Sequence, residues 1–343
     1  MNPTTLNHTA TTFQRDNRMK AIVYTQYGSP DVLHQAEVPK PIPRENEVLI
    51  KVYAVGLNAA DWRMMRADPF FVRFFAGMLK PKNQILGADI AGTVEAVGSN
   101  VKRLQPGDAV YGDLSGDGMG GLAEYVCAPE ESIAPKPMPL SFKEAATVPM
   151  AAMAALQGLR DHGQIQSGQK VLIHGASGGV GSFAVQIAKA LGGIVTAVCS
   201  TSKMDQARLL GADHVLDYTK EDFAQNGETY DLILAANGDR SLSDYLGALT
   251  PTGRYIMAGG SMKQMFQAIL LGSLKSKKDG KTIKDFTAKP KQADLNFITE
   301  LIEAGKIKPI LDKQYPFSET PDAMRYLDQG HAKGKIIVTV SET

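Results

Sequence analysis

The sequence predicts an α/β protein of two domains, a doubly wound parallel sheet set between two parts of a β-rich domain. Three observations predict this. Short β-branched strands fill the chain to about Ala134, strand and helix alternate from about Lys170 to Gly260, and the chain closes on a strand, KIIVTV. The expected boundaries are a disordered extension over 1–18, the β-rich domain over 19–140 and 310–343, and the parallel-sheet domain over 141–309.

Composition narrows the function before any motif is read. With 343 residues, 43% hydrophobic and 21% charged, the chain can fill two cores. Lys and Arg total 37 against 36 Asp and Glu, so no global basic field attracts nucleic acid, and a small-molecule substrate is expected. No apolar run reaches the roughly 18 to 20 residues that span a bilayer. The cysteines Cys127 and Cys199 lie in the strand-like runs AEYVCAP and IVTAVCS, outside any C-x-x-C pair. That pattern suits buried, reduced thiols and a cytoplasmic location.

Residues 1–18 are polar and aperiodic, with no apolar h-region. From Lys20 the runs KAIVYTQYG, EVLIKVYAVGL, IAGTVEAVG, DAVYGD and AEYVCAP read as strands of an antiparallel barrel or sandwich. The segment Pro135-Lys136-Pro137-Met138-Pro139 breaks regular structure, making it the expected hinge before the Ala-rich helical pattern SFKEAATVPMAAMAALQGL. Then KVLIH, VGSFAVQIAKALG, IVTAVCS, KMDQARLLGA, HVLDY, DLILAA and RYIMAGG alternate strand with helix. Val180, Ala184, Ile187 and Leu191 form one apolar stripe, with Gly192 placed to stop that helix. Helical DLNFITELIEAG follows, then a helix opened by Thr320-Pro321 and the final strand.

The main chemical signal is the loop Ala176-Ser177-Gly178-Gly179-Val180-Gly181, between KVLIH and the apolar helix. A dinucleotide fingerprint needs a tight turn, a residue without Cβ beside the pyrophosphate, and a small residue where helix meets strand. Gly178 and Gly181 supply the second and third, and Ala176 stands at the first; helix N-terminal amides would then face the phosphates. A glycine loop of purely structural use is the alternative. The next strand ends Cys199-Ser200-Thr201-Ser202-Lys203 with no carboxylate, so Ser200 as donor and Lys203 as countercharge suit a 2′-phosphate and predict NADPH over NADH. Simple helix capping by these hydroxyls stays open. Asn237, Gly238, Gly259 and Gly260 end later strands at the carboxyl edge and are expected cofactor neighbours.

From Met19 to Val340 the chain resembles the medium-chain dehydrogenase/reductase superfamily, in its zinc-independent quinone oxidoreductase and enone (alkenal) reductase branch. The carriers are Gly56-Leu57-Asn58-Ala59-Ala60-Asp61-Trp62, Leu86-Gly87-Ala88-Asp89-Ile90-Ala91-Gly92-Thr93-Val94, Gly98, Gly107-Asp108, the glycine loop and Gly334-Lys335-Ile336-Ile337-Val338. The resemblance implies a GroES-like catalytic domain, an inserted Rossmann domain, and a cleft between them holding the nicotinamide. It also implies that Lys203 and Tyr218 grip the 2′-phosphate and that Lys335 joins the cofactor-binding set. Alcohol dehydrogenases of the superfamily carry a zinc-binding cysteine where Asn58 stands and a histidine where Ala88 stands. No metal site is therefore expected, and His174 and His331 read as ordinary histidines.

Without a Lewis acid, hydride delivery to a quinone or to the β-carbon of an α,β-unsaturated carbonyl is the natural chemistry. Asn58 is the first candidate for an amide donor to the acceptor oxygen. Tyr53 and Tyr111 are further candidate donors, with strand packing as the competing reading. Asp61 reads as a turn residue at least as well as a pocket residue. The run PFFVRFFAGML within Asp68 to Lys82 reads as a hydrophobic lid or substrate wall, and the lysine-rich segment 272–291 as a solvated loop or subunit contact. A non-catalytic NADPH sensor and an alcohol dehydrogenase remain alternative functions, and a homodimer is allowed for.

Overall fold

The computed structural model describes residues 17–238, 240–259, 280–330 and 332–342. They divide into two compact units. The first holds the described residues up to Lys136, Gln314–Gly330 and those from Ile336 on, and the second holds Pro137–Lys313 and residues 332–335. The extension expected over 1–18 lies outside the described residues up to position 16, and Asn17 and Arg18 already lead into the first strand.

The first unit is built on antiparallel pairing. Strands β1 (Arg18–Val23) and β2 (His34–Pro39) form a two-stranded sheet. Met19, Ala21 and Val23 alternate along β1 and are buried against Ala123. Strands β3 (Glu47–Leu57), β4 (Asp89–Val97), β5 (Ala109–Asp113), β6 (Tyr125–Pro129) and β7 (Ile133–Pro135) join two strands from the end of the chain in a seven-stranded sheet. Eleven residues long and rich in Val, Leu and Ile, β3 pairs with β4 and β6 and is buried along most of its length. Helices α1 (Ala59–Arg66) and α2 (Val72–Ala76) lie between β3 and β4. The expected strands of this region are present, and β2 and β7 are added to them.

The second unit opens with α3 (Phe142–Ala145), started by a capping box in which Ser141 Oγ accepts from the Glu144 N–H at 3.3 Å and Glu144 accepts from the Ser141 N–H at 2.8 Å. Next come α4 (Pro149–Leu156) and a π-helical turn over Gln157–His162. Six strands then form one parallel sheet: β8 (Lys170–His174), β9 (Ile194–Cys199), β10 (His214–Asp217), β11 (Tyr230–Ala235), β12 (Leu249–Met257) and β13 (Thr282–Asp285). Their order is β10-β9-β8-β11-β12-β13. The order reverses between β8 and β11, where a doubly wound sheet opens a crevice for ligands. The intervening helices are α5 (Gly179–Ala190), α6 (Met204–Leu209), α7 (Leu242–Gly247) and, after β13, α8 (Gln292–Glu303). The chain ends with β14 (Leu311–Pro316), α9 (Thr320–Asp328) and β15 (Lys335–Thr339), the two strands that complete the large sheet of the first unit.

Three details differ from the sequence reading. Helix α5 is buried continuously from Gly181 to Ala188, while Val180 and Leu191 at the ends of the expected stripe are only partly covered. The helix packs against both α4 and the sheet, so its inner turns have no solvent face. Gly192 stops it as expected, at φ 86°. Within the lysine-rich segment, Thr282–Asp285 is a sixth parallel strand with Ile283 buried, and residues 272–279 lie outside the described set. The unit boundaries also fall at Lys136 and Lys313 rather than 140 and 309, and residues 332–335 return to the second unit. Hydrogen bonds hold that return: the Lys333 N–H donates to Asp312 at 2.9 Å and the Lys335 N–H to Ile310 O at 2.8 Å.

Candidate active site

The carboxyl edge of the second sheet gathers the glycine loop and the tips of four strands. Leaving β8, Gly175 has φ 81°, a conformation that side chains with a Cβ resist, and a Cβ there would lie 2.5 Å from Asn237 O. This glycine makes the tight turn that the sequence reading gave to Ala176. Ala176 instead turns its methyl into the core and donates its N–H to Val198 O. At Gly181 a Cβ would lie 2.0 Å from Gly175 O, so only glycine lets α5 pack this close to the strand end. Gly178 is the opposite case: a Cβ would meet nothing nearer than Gly175 O at 3.8 Å. No protein atom demands glycine at this helix N-cap.

Cations approach the same edge. The Lys335 side chain crosses Gly179, its Cδ 3.0 Å from where a Cβ would stand. Beyond β9, Lys203 lies partly exposed and donates to Ala332 O at 3.3 Å. Ser200 precedes the short turn Thr201–Lys203 without using its side chain as a cap. The Tyr218 N–H donates to Cys199 O at 3.1 Å, which brings the largely exposed Tyr218 beside the tip of β9. One expectation needs correcting here. Asp217, in register with Cys199, puts a carboxylate next to the tip. Its oxygens accept from Thr201 Oγ1 and from Thr219 Oγ1, the latter at 2.7 Å, and these bonds hold the carboxyl below the usual range. Thr201 is therefore tied to Asp217 and is unavailable to a phosphate, while Asp217 shapes the tip and has both oxygens engaged.

The remaining strand ends complete the edge. Asn237 is exposed after β11, and Gly259 after β12 donates to Ala235 O, while Gly260 lies outside the described residues. Beneath them His174 is buried and hydrogen-bonded through Nδ1 to Tyr245 Oη at 2.8 Å. Burial, with the charge of Arg240 second, pushes the imidazole down to about 4, so this histidine is neutral and packed. His331 lies outside the described residues.

In the first unit, Asn58 ends β3 and caps α1. Its side-chain amide donates to Asp89 Oδ2 at 2.9 Å and to Gly56 O at 3.2 Å. Two acceptors fix the amide nitrogen on that side, and both of its hydrogens are engaged. Asn58, the amide donor expected from the sequence, here commits its side chain to Asp89 and Gly56 at the start of the helix. Asp61 answers from the first turn: Oδ2 accepts from the Asn58 N–H at 2.8 Å and Oδ1 from the Gly87 N–H at 2.9 Å. The turn reading of Asp61 accounts for both oxygens. Asp113 stands opposite Asp89 across β4 and β5, accepts from the Ser115 N–H at 2.8 Å, and is pushed up to about 7 by burial and then by the charge of Asp89. This acid cluster went unnoticed in the sequence, although Asp89 opens one strand-like run and Asp113 ends another.

The two tyrosines separate. Tyr111 on β5 is fully buried, which agrees with packing and leaves its hydroxyl no access to a substrate. Tyr53 on β3 is partly exposed, with the Lys51 ammonium 5.5 Å from its ring centre. Among the described residues, no group of three His, Cys, Asp or Glu side chains is arranged to hold a metal ion, and no helix is long and apolar enough to cross a membrane. Both cysteines are free thiols; Cys199 is buried and Cys127 only half-buried.

A parallel sheet of order 3-2-1-4-5-6, with a glycine turn at its switch point and a lysine past its second strand, defines a dinucleotide-binding protein of the nicotinamide class. The family described as "Alcohol dehydrogenase GroES-like domain" matches residues 44–138, and "Zinc-binding dehydrogenase" matches residues 210–338. The chain is 35% identical to 2-methylene-furan-3-one reductase of Solanum lycopersicum, over 96% of this chain and 81% of that protein. It is 34% identical to NADPH-dependent alkenal/one oxidoreductase, chloroplastic, of Arabidopsis thaliana, over 93% and 79%. Among solved structures, the quinone oxidoreductase from Coxiella burnetii superposes with a TM-score of 0.84 at 30% identity, covering 94% of this chain and all of that one. The chain belongs to the medium-chain dehydrogenase/reductase superfamily, in its quinone and enone reductase branch.

Proposed function

We propose that this chain is an NADPH-dependent reductase of quinones or α,β-unsaturated carbonyls that works without zinc. The observation that carries the cofactor reading is the glycine loop at the switch point of the sheet, where Gly181 lets α5 pack against the strand end and Gly178 leaves its N-cap open on the side of the helix amides. The amides of Gly179 and Val180 hold the pyrophosphate, and Lys335 adds positive charge beside them. Ser200, Lys203 and Tyr218 take the 2′-phosphate, with Asp217 keeping their loop in shape. Asn237 and Gly259 flank the cofactor at the switch point. Bound NADPH supplies the hydride. Asn58, locked to Asp89 and Asp61, positions the start of α1, and water supplies the proton that completes reduction.

The three relatives named above act, by their names, on a furanone, on alkenals and alkenones, and on quinones, which supports a conjugated acceptor here. Cytoplasmic residence is the location we propose, since two unpaired thiols suit a reducing compartment. The test is initial-rate oxidation of NADPH and NADH by chelator-treated protein with a quinone, an enone and a saturated aldehyde. Turnover confined to NADPH with a conjugated acceptor supports the proposal. Tight NADPH binding with no turnover would favour a sensor, and activity that returns only with added zinc would favour an alcohol dehydrogenase.

A further inference from the structure

The segment from Phe70 to Leu79 reverses the usual logic of a surface helix. Val72 and Ala76, spaced i and i+4, point inward and are buried, so the smaller apolar side chains pin α2 to the first unit. The larger ones point out: Phe70 is 64% exposed, Phe74 68%, Phe75 59% and Leu79 89%, with Phe71 and Met78 also in water. Among the described residues, six of the twelve exposed large apolar side chains fall in these ten positions. Single exposed apolar residues need no explanation, but a contiguous group of this size marks an interaction surface.

The surface is held in place. The Tyr27 hydroxyl donates to Gly77 O at 2.7 Å, and the Lys82 N–H donates to Ala76 O at 2.8 Å. The Arg73 guanidinium lies 4.8 Å from the Tyr27 ring centre and 5.4 Å from that of Phe70. These contacts tie the turn to the first unit with the large side chains facing outward. Its charges are mostly positive. From Arg63 to Lys82 the chain carries Arg63, Arg66, Arg73, Lys80 and Lys82 against Asp68 alone. Arg66 pairs with Asp328, while Arg63, Lys80 and Lys82 are exposed.

We propose that residues 70–82 are a docking surface for an anionic lipid bilayer. Phenylalanine, leucine and methionine enter the boundary between headgroups and acyl chains, and the flanking lysines meet the lipid phosphates and carboxylates. Lys80 and Lys82 follow the apolar side chains directly and are exposed, which places cationic groups where an anionic lipid surface would meet them. The charge is local, so the overall balance of +1 does not oppose it.

The experiment is co-sedimentation of the full chain with vesicles of phosphatidylcholine alone and with phosphatidylserine added at roughly three parts in ten. The wild type is expected to bind the anionic vesicles and to release in high salt. Phe70→Ser, Phe74→Ser and Phe75→Ser combined are expected to lower partitioning about tenfold or more, and Lys80→Glu with Lys82→Glu to remove the preference for anionic lipid. Leu79→Ser, at the most exposed position, is the single-site check should the triple variant melt early, with a smaller loss expected. Failure of the wild type to bind anionic vesicles overturns the proposal, as does wild-type binding by a folded triple variant. Concentration-dependent dimerisation that the triple variant abolishes, without vesicle binding, would assign the surface to a second copy of the chain.

Discussion

The glycine edge of the second unit and the acid cluster of the first are both built from polar groups at strand ends, yet they differ in what is left for a ligand. Around Asn58 the polar groups serve one another: the amide donates to Gly56 and Asp89, and Asp61 accepts from Asn58 and Gly87. At the glycine edge the backbone turns at Gly175, closes at Gly181, and leaves the space beside Gly178 open to within 3.8 Å of Gly175 O. A group with its hydrogen-bonding capacity filled holds structure, and a built position with room beside free helix amides receives a ligand. The type of residue does not tell the two apart; the partners do.

The contrast can be broken first at the acid cluster, where the largest effect is expected. The folded state keeps a proton on Asp113 up to about pH 7, and the unfolded chain releases it near pH 4. The stability this contributes is fully present below about pH 4 and is lost as pH rises through about 7. Asp113→Asn should remove that part of the pH dependence, seen by urea unfolding at pH 5 and pH 8, and should be the more stable protein at pH 8. An unchanged slope would mean that Asp113 is ionised in the fold.

The two glycines sharpen the comparison from the other side. Gly181→Ala forces a Cβ against Gly175 O and should cost about 3 kcal/mol or more, with cofactor binding lost alongside. Gly178→Ala should change stability by less than about 1 kcal/mol, because its Cβ meets no protein atom, yet weaken NADPH binding about tenfold. Thermal melts with and without NADPH separate these outcomes. Between them in size is Asn58→Ala, which leaves buried Asp89 short of a donor and should cost about 1 to 3 kcal/mol. If Asn58→Ala instead lowered turnover with no change in stability, a direct donor role would be restored to Asn58.

What was legible in the sequence follows the same division. Strand periods, the proline break now seen at Lys136 and Pro137, and the stop at Gly192 are local signals that the structure carries, while the one-sided stripe read for α5 gave way to burial on all sides. The glycine loop was legible because its backbone needs are written in residue type, though the turn belongs to Gly175 and not Ala176. Side-chain commitments were not legible. Nothing near Thr201 in sequence announces Asp217, sixteen residues on, nor does anything near Asn58 announce Asp89, because β-strand register brings them together. The strand β13 was hidden for a related reason: Thr282–Asp285 has one buried side chain, Ile283, among lysines that read as solvated. The alternation of β2 is likewise too weakly apolar to stand out.

The central claim is that the edge formed by the glycine loop and the tip of β9 is a site for NADPH. Its most direct test is calorimetric titration of NADPH and NADH into the wild type and Lys203→Ala. The account predicts a wild-type preference for NADPH that Lys203→Ala reduces about tenfold or more, with NADH binding little changed. Equal weakening of both cofactors, or no preference in the wild type, would contradict it.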